Sequence, residues 1–307
     1  MEERCELTQG PGDAPAGRLY AGVGSRRYNP DTMPEAPVTA TLLISCRDQK
    51  GLVASVSDFL YRHNGNIIHA DQHTDLEEGV FVQRVEWELR EFAVKREEIA
   101  EAFRPIAERF GMSWSLRFSD YTPRLGVFVS KLPHCMYDLL ARWRMGEFRA
   151  EIPLVVSNHG DQRAVAESFG VDFRAFEITS GTKAKEEARI LELLEEQRID
   201  VVVLARYMQV LGQKFVSQYP QRIINIHHSF LPAFAGARPY HHAHERGVKI
   251  IGATAHYVTA ELDQGPIIEQ DVARVSHRDS VDDLVRKGRD PIRWCWRGRW
   301  TCICGTG

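Results

Sequence analysis

The chain has 307 residues, of which 43% are hydrophobic and 26% charged, and its formal net charge at pH 7 is -3. The length suggests two domains, and the composition is that of an ordinary globular protein with enough apolar residues for a core. The small net charge disfavours a nucleic-acid partner. No apolar run approaches the roughly 18 residues that a membrane-spanning helix requires, so no membrane association is expected.

The first 37 residues are rich in proline and glycine and lack an apolar segment typical of a secretory signal. This composition predicts a disordered tail and a cytoplasmic protein. The cysteines are scattered without a C-x-x-C pair, which is typical of free thiols in a reducing compartment. They stand at positions 5, 46, 135, 295, 302 and 304.

Residues 38–120 alternate between strand and helix patterns in the order β-α-β-β-α-β, which predicts a ferredoxin-like α+β domain. Strands are predicted from β-branched, alternating residues, and helices from apolar residues spaced three and four apart. The predicted elements are a strand at 38–46, a helix from Leu52 that stops at Asn64-Gly65, paired strands at 66–73 and 80–87, a helix at 96–110 and a strand at 113–118.

The segment from Cys46 to Ala54 resembles the strand-turn-helix entry of an ACT domain, in which Gly51 would open the helix. The resemblance implies a regulatory domain that binds a small amino acid, of the glycine or methionine type, or that pairs in a homo-oligomer. A solvated loop in a spacer domain is the open alternative. An effector carboxylate would suit helix N-terminal amides. The predicted effector-binding residues are Asp48, Gly51, Leu52, Asn64 and Ile67.

After a short linker at Tyr121-Thr122-Pro123, residues 124–290 alternate regularly between strands and helices. The run Ile199–Ala205 is almost entirely apolar, as expected of a parallel strand that is covered on both faces. The pattern predicts an α/β domain with a doubly wound, mostly parallel, Rossmann-like sheet. Strands are predicted at 124–130, 152–157, 171–178, 199–205 and from 223, and helices at 135–144, 162–169, 183–196 and 210–219.

Phosphate-binding signatures are missing from the sequence. No G-x-G-x-x-G follows the strand that begins at Arg124, and there is no Walker A sequence, so no nucleotide cofactor is expected. The histidines His241, His242 and His244 lack a carboxylate-and-histidine pattern of known spacing, so no metal is expected either.

The hydrophobic run Ile223–His227 carries an amide and an imidazole on one face, because Asn225 and His227 are two positions apart in a strand. An amide can donate a hydrogen bond to a developing oxyanion, and an imidazole can exchange a proton near neutral pH. A later carboxylate, Asp263, could orient a water and accept its proton. The residues alone leave open direct attack by water or by an amine, and also a purely structural role.

Three segments together resemble the folate-dependent formyltransferase family. They are Asn225–Pro232, His256–Val258 and Glu261–Ile268. The resemblance implies that Asn225, His227 and Asp263 are catalytic and that the segment Arg206–Leu211 contributes to a folate pocket. The predicted substrate-binding residues are Arg206, Tyr207, Met208, Val210, Leu211, Ser229, Gly236 and Gly265.

The preceding ACT-like segment and the string Phe234–His241 resemble hydrolytic members of that family. They imply hydrolysis of 10-formyltetrahydrofolate to tetrahydrofolate and formate, which would supply one-carbon and purine metabolism, with folate as substrate and no cofactor. The segment Ser130–Cys135 contains Pro133 and bulky side chains that suit a phosphate poorly, which favours water as acceptor. Formyl transfer to an amine such as glycinamide ribonucleotide, and a non-catalytic folate- or amino-acid-binding regulator, remain open alternatives.

Residues 291–307 depart from this resemblance, because they show neither helical nor strand periodicity. Tryptophan, arginine, cysteine and glycine dominate the segment, which reads like translation in a shifted frame or a truncated end. A cysteine-rich metal-binding tail is the alternative, although its spacing is irregular. We expect this segment to be poorly ordered.

Overall fold

A computed structural model describes residues 37–232 and 239–289, which form two sheets with their covering helices. Apart from Pro37, the tails predicted over 1–37 and 291–307 lie outside this part of the chain. No helix in the described ranges is both long enough and apolar enough to cross a membrane.

The N-terminal sheet has four antiparallel strands in the order β2-β3-β1-β4. The element order confirms the predicted β-α-β-β-α-β pattern. One helix starts later than predicted, since Arg96–Glu98 forms a 3-10 turn before α2 begins. The elements are β1 (Thr39–Arg47), α1 (Leu52–Arg62), β2 (Asn66–Asp75), β3 (Val80–Glu88), α2 (Ile99–Phe110) and β4 (Ser113–Phe118).

Helices α1 and α2 cover one face of this sheet with a single apolar core. Phe59 of α1 and Phe103 of α2 meet edge to face, with ring centroids 5.5 Å apart, above the buried Trp87 of β3. Removing a side chain such as Phe103 from water contributes about 2 to 3 kcal/mol. The amphipathic spacing of the two helices therefore explains both their formation and their docking.

The second sheet has seven strands in the order β11-β10-β9-β8-β5-β6-β7. Neighbours from β9 to β7 are parallel, whereas β10 and β11 join the β9 edge in antiparallel pairs. The elements are β5 (Arg124–Val129), α3 (His134–Arg144), β6 (Glu151–Ser157), α4 (Arg163–Ser168), β7 (Asp172–Ala175), α5 (Lys183–Glu196), β8 (Val201–Leu204), α6 (Gln213–Gln218), β9 (Ile223–His227), α7 (Pro239–Glu245), β10 (Ile250–Tyr257), β11 (Ile267–Arg274) and α8 (Val281–Lys287).

Both faces of the parallel part are covered, as the apolar runs predict. Val127 and Val203 pack with α3 and α4 on one face, while Phe128 and Val202 pack with α5 and α6 on the other. The carboxyl ends of β5, β8 and β9 meet at one edge of the sheet, which is where ligands bind in sheets of this kind.

The helix predicted from Val210 begins only at Gln213. Gly212 is extended, with φ -71° and ψ 153°, and its backbone N–H donates to Glu187 Oε1 at 3.0 Å. This bond from α5 holds the preceding segment out of the helix, so Val210 and Leu211 stay available at the edge of the sheet. The helical prediction was wrong for these residues because a tertiary hydrogen bond overrides local periodicity.

The linker between the two sheets is fixed at both sides. The Arg149 guanidinium donates to the carbonyls of Ser119 and Asp120 and to the Thr122 hydroxyl, each at 2.9 Å. Asp200 accepts the Tyr121 hydroxyl at 2.8 Å, and burial together with this carboxylate raises the pKa of Tyr121 to about 12.

Candidate active site

A cavity of about 530 Å³ opens at the carboxyl ends of β5, β8 and β9. Its size is that of a pocket for a small organic ligand. All three predicted catalytic residues line it, as do most of the predicted substrate-binding residues. The predicted residues in its wall are Arg206, Tyr207, Met208, Val210, Leu211, Asn225, His227 and Asp263.

Strand β9 presents Asn225 and His227 on the face that borders this cavity. The intervening Ile226 and the preceding Ile224 pack in the core cluster on the opposite face, and Ile226 also contributes to the cavity wall. This is the alternation that the sequence predicts for a strand. The apolar side chains thus anchor β9 while the amide and the imidazole reach the ligand space.

The third predicted catalytic residue, Asp263, comes from the loop between β10 and β11. Its Oδ1 lies 3.5 Å from His227 Nδ1 and 3.7 Å from His256 Nε2, and only 6% of its side chain is exposed. The residue has a positive φ of 57°, a backbone conformation that is unfavourable for most residues other than glycine. Aspartate adopts this region more readily than most residues, and here the conformation places a buried carboxylate beside the two imidazoles.

Gly265 shapes this loop and does not line the cavity, although it was predicted to bind substrate. A Cβ atom at this position would lie 1.7 Å from the Tyr257 carbonyl oxygen. The Tyr257 backbone N–H donates to the Pro266 carbonyl at 2.9 Å, so the loop closes against the end of β10. Glycine is required here because the two backbones touch.

His256 is a site residue that the sequence analysis did not assign. It is 2% exposed and stands directly opposite Asn225 in the β9–β10 pairing. His256 Nδ1 lies 2.9 Å from the Tyr257 carbonyl oxygen, which can only accept, so Nδ1 carries the proton. In that tautomer Nε2 accepts from Asn225 Nδ2 at 3.2 Å.

This bond orients the Asn225 amide. One amide hydrogen of Asn225 is used by His256, and the other remains for a ligand in the cavity. The amide therefore presents a hydrogen-bond donor, and not its carbonyl, to the ligand space. The string His256–Val258 was part of the family resemblance, but the role of His256 depends on a strand pairing that periodicity does not reveal.

The chain after β9 is held by Thr254 of β10, which is completely buried. Its hydroxyl donates to the Ser229 carbonyl at 2.9 Å and accepts from the Leu231 N–H at 3.0 Å. Ser229 is itself buried and does not line the cavity, in contrast to the predicted substrate contact. Gly236, another predicted contact, lies outside the described residues.

The predicted folate segment forms an apolar rim of the cavity. Met208 and Val210 are 61% and 56% exposed, which leaves apolar surface for a ligand ring. The Met208 N–H donates to Ser130 Oγ at 2.9 Å, and Ser130 Oγ donates to Asn158 Oδ1 at 2.6 Å. The segment is thus tied to the end of β5, and burial raises the pKa of the neighbouring Tyr207.

His228 lies beside the predicted catalytic histidine, with a distance of 5.4 Å between the His227 and His228 ring centroids. Burial, followed by the positive charges of Arg206, His227 and His134, lowers the pKa of His228 to about 3. His228 is therefore neutral throughout the physiological pH range, and it serves as a polar wall of the cavity.

The predicted effector residues form two groups, which lie at opposite ends of helix α1. Asp48, Gly51 and Leu52 precede or begin α1, whereas Asn64 and Ile67 follow its end. A helix of 11 residues separates its ends by about 16 Å. Leu52 is buried in the domain core, so it is not available to a ligand.

The sequence predicts no metal at His241, His242 and His244, which lie on helix α7. Within residues 37–232 and 239–289, no group of three or more His, Cys, Asp or Glu side chains could hold a metal ion. His241 lines the cavity beside Asn225 and His227, where an imidazole can contact a ligand.

Two family models match the chain, the ACT domain over residues 40–108 and Formyl transferase over residues 123–295. A formyltetrahydrofolate deformylase of Synechocystis is 59% identical over 253 residues, which covers 82% of this chain and 89% of the relative. The Escherichia coli protein of the same name is 41% identical and covers 80% of this chain and 86% of the relative.

Solved structures agree with these sequence matches. A formyltetrahydrofolate deformylase from Pseudomonas syringae superposes with a TM-score of 0.85 at 44% identity, covering 89% of this chain and 92% of that structure. A glycinamide ribonucleotide transformylase from Symbiobacterium toebii gives a TM-score of 0.57 at 31% identity and covers 62% of this chain and 90% of that structure. The match to the deformylases extends across both sheets, and the chain belongs to the formyltetrahydrofolate deformylase family.

Proposed function

We propose that the protein hydrolyses 10-formyltetrahydrofolate to tetrahydrofolate and formate. The proposal rests on four side chains that line one cavity, those of Asn225, His227, His256 and Asp263. The chain that carries them matches deformylases along most of its length. An amide donor, two imidazoles and a carboxylate supply the groups that hydrolysis of an N-formyl bond needs. The described site contains no cysteine or serine nucleophile in this constellation, so direct attack by water is the simplest chemistry.

In the first step, Asp263 orients a water molecule and accepts its proton as the oxygen attacks the formyl carbon. The carboxylate is buried beside the His227 and His256 rings, which strengthens its interaction with a bound water. The formyl oxygen becomes an oxyanion in the tetrahedral intermediate. The free amide hydrogen of Asn225 and the imidazole of His227 stabilise this charge, and one such donor is worth about 10² to 10³ in rate.

In the second step, the bond between the formyl carbon and N10 breaks. The electron pair of that bond remains on N10, which takes up a proton that originates from the attacking water. His227 is 3.5 Å from Asp263 and can relay the proton between the carboxylate and the ligand. The products are tetrahydrofolate and formic acid, which ionises to formate.

Transfer of the formyl group to a phosphorylated amine is the competing reaction within this fold. Helix α3 starts behind Pro133, which has no backbone N–H to offer a phosphate. The Ser130 hydroxyl is already engaged with Asn158 and Met208. Both observations favour water as the acceptor.

The N-terminal sheet supports a regulatory role. ACT domains bind small amino acids, and we propose an effector of the glycine or methionine type and a homo-oligomer as the working state. Because the predicted effector residues lie at opposite ends of α1, they do not form one compact site within this chain. The proposed setting is one-carbon and purine metabolism in the cytoplasm.

Purified protein tests the proposal when it is incubated with 10-formyltetrahydrofolate, with and without glycinamide ribonucleotide. We expect formate and tetrahydrofolate in equal amounts without the acceptor, and a rate lowered by about 10² to 10⁴ in Asp263→Asn. Product that forms only with the nucleotide would identify a transferase. Folate binding without turnover would identify a binding protein.

A further inference from the structure

One corner of the catalytic cavity is strongly cationic and is not used by the proposed chemistry. Arg206, Arg289 and His134 line the cavity there, together with His228 and Tyr240. We call these five residues the cationic corner. Neither arginine forms an ion pair with a carboxylate among the described residues. An arginine is charged at every physiological pH, so this corner carries positive charge that is paired with no carboxylate of residues 37–232 and 239–289.

Arg206 is held in place at a conformational cost. Its φ is 64°, in the left-handed region that residues other than glycine seldom adopt. Its Nε atom is buried and has no hydrogen-bond partner among the described residues. A strained backbone that carries a buried, unsatisfied cationic donor is a feature that a bound anion would explain.

A second buried donor points to an anion. Tyr240 is only 7% exposed, yet its hydroxyl also has no hydrogen-bond partner among the described residues. Burial raises the pKa of the Tyr240 hydroxyl, and the positive charge of Arg206 partly opposes this rise. Arg206 and Tyr240 therefore interact electrostatically.

The corner adjoins the reacting atoms. The His228 ring lies 5.4 Å from the His227 ring on one side and 5.8 Å from the Tyr240 ring on the other. His228 is neutral, so it separates the catalytic histidine from the arginines without adding charge. A small anion that forms beside His227 would be separated from the cationic corner only by the His228 side chain.

We propose that the cationic corner binds the formate ion released by hydrolysis. This inference rests on the proposed function, and it assigns the product site. Formate is a small carboxylate that can accept two parallel hydrogen bonds from a guanidinium such as that of Arg206. The apolar Met208–Leu211 rim is left for the rings of the folate, so the two products occupy different parts of the cavity.

Formate inhibition tests the assignment. In the wild-type protein, added formate should inhibit hydrolysis, and 13C-labelled formate should bind the protein without folate. In Arg206→Met both the inhibition constant and the dissociation constant of formate should rise at least about tenfold, because a charged hydrogen-bonded pair is lost. Arg206→Lys keeps the charge but lacks the two parallel N–H donors of a guanidinium, so its formate constants should lie between those of the wild type and those of Arg206→Met. Arg163→Met is the matched control, since Arg163 is a half-exposed arginine on the remote helix α4.

Equal formate binding by Arg206→Met and the wild type would overturn the proposal while hydrolysis stands. Absence of formate release by the wild type would instead refute the proposed function. Inorganic phosphate and p-aminobenzoylglutamate are added as competitors of labelled formate. Displacement by either at a lower concentration than unlabelled formate would assign the corner to a phosphorylated acceptor or to the folate tail, and would also overturn the proposal.

Discussion

Replacing His256 with phenylalanine tests how the Asn225 amide is oriented. The change keeps a planar ring in a site that is 2% exposed, but it removes the acceptor that lies 3.2 Å from Asn225 Nδ2. The Asn225 amide is then free to turn and to present its carbonyl to the formyl oxygen, which would repel the oxyanion. Complete loss of one oxyanion donor costs about 10² to 10³ in rate.

Partial disorder of the amide costs less than its removal, so we expect kcat to fall by about 10- to 100-fold in His256→Phe. The KM for 10-formyltetrahydrofolate should change little, because the ground-state carbonyl is held weakly by this donor. Steady-state kinetics of tetrahydrofolate formation measure both quantities. Asn225→Ala should show nearly the same rate as the double variant with His256→Phe, because the two residues act as one unit.

His63→Phe is the matched control, since His63 also bonds a backbone carbonyl through Nδ1, at 2.7 Å, but lies in the N-terminal sheet domain. We expect its kcat to remain close to that of the wild type. Wild-type kcat in His256→Phe, or a loss of kcat that adds fully to that of Asn225→Ala, would show that His256 does not orient the Asn225 amide.

Three further variants probe the scaffold around the site. Gly265→Ala should lower both the melting temperature and kcat, because its Cβ would lie 1.7 Å from the Tyr257 carbonyl oxygen, and wild-type values for both would contradict this. His228→Gln should flatten the pH dependence of thermal stability. In the wild type, the pKa of His228 is about 3 in the folded protein and higher in the unfolded chain, so the unfolded chain binds a proton that the folded protein does not. The free energy of unfolding of the wild type should therefore fall by up to ~3 kcal/mol as the pH drops from 6.5 to 4. An unchanged pH profile of the melting temperature would contradict that assignment. Asp200→Ala should reduce the free energy of unfolding by about 1 to 3 kcal/mol by leaving the Arg124 N–H without its acceptor, and a chemical denaturation curve identical to that of the wild type would refute this role.

Local patterns in the sequence predict the fold class and one side of the site. The alternation of apolar residues identifies the parallel strands, and it also places Asn225 and His227 on one face of β9. These are short-range properties of a strand, so they survive in the folded protein. The approach of Asp263 to His227 follows only from resemblance, because it depends on how a distant loop folds back.

Long-range contacts explain what the sequence analysis missed. His256 acquires its role through the register of β10 against β9, and Val210 leaves the predicted helix because Glu187 binds the Gly212 N–H. Neither contact has a periodic signature. The separation of Asp48 from Asn64, in contrast, could have been derived from the length of α1 alone.

The proposed hydrolysis begins when a water molecule oriented by Asp263 attacks the formyl carbon. A single turnover of 10-formyltetrahydrofolate in H2(18)O, with the formate analysed by mass spectrometry, measures this step directly. We expect one 18O atom in each formate from the wild type and a labelling rate lowered by about 10² to 10⁴ in Asp263→Asn. Formate without the label would exclude attack by water, and labelled formate formed at the wild-type rate by Asp263→Asn would exclude a role of Asp263 in that attack.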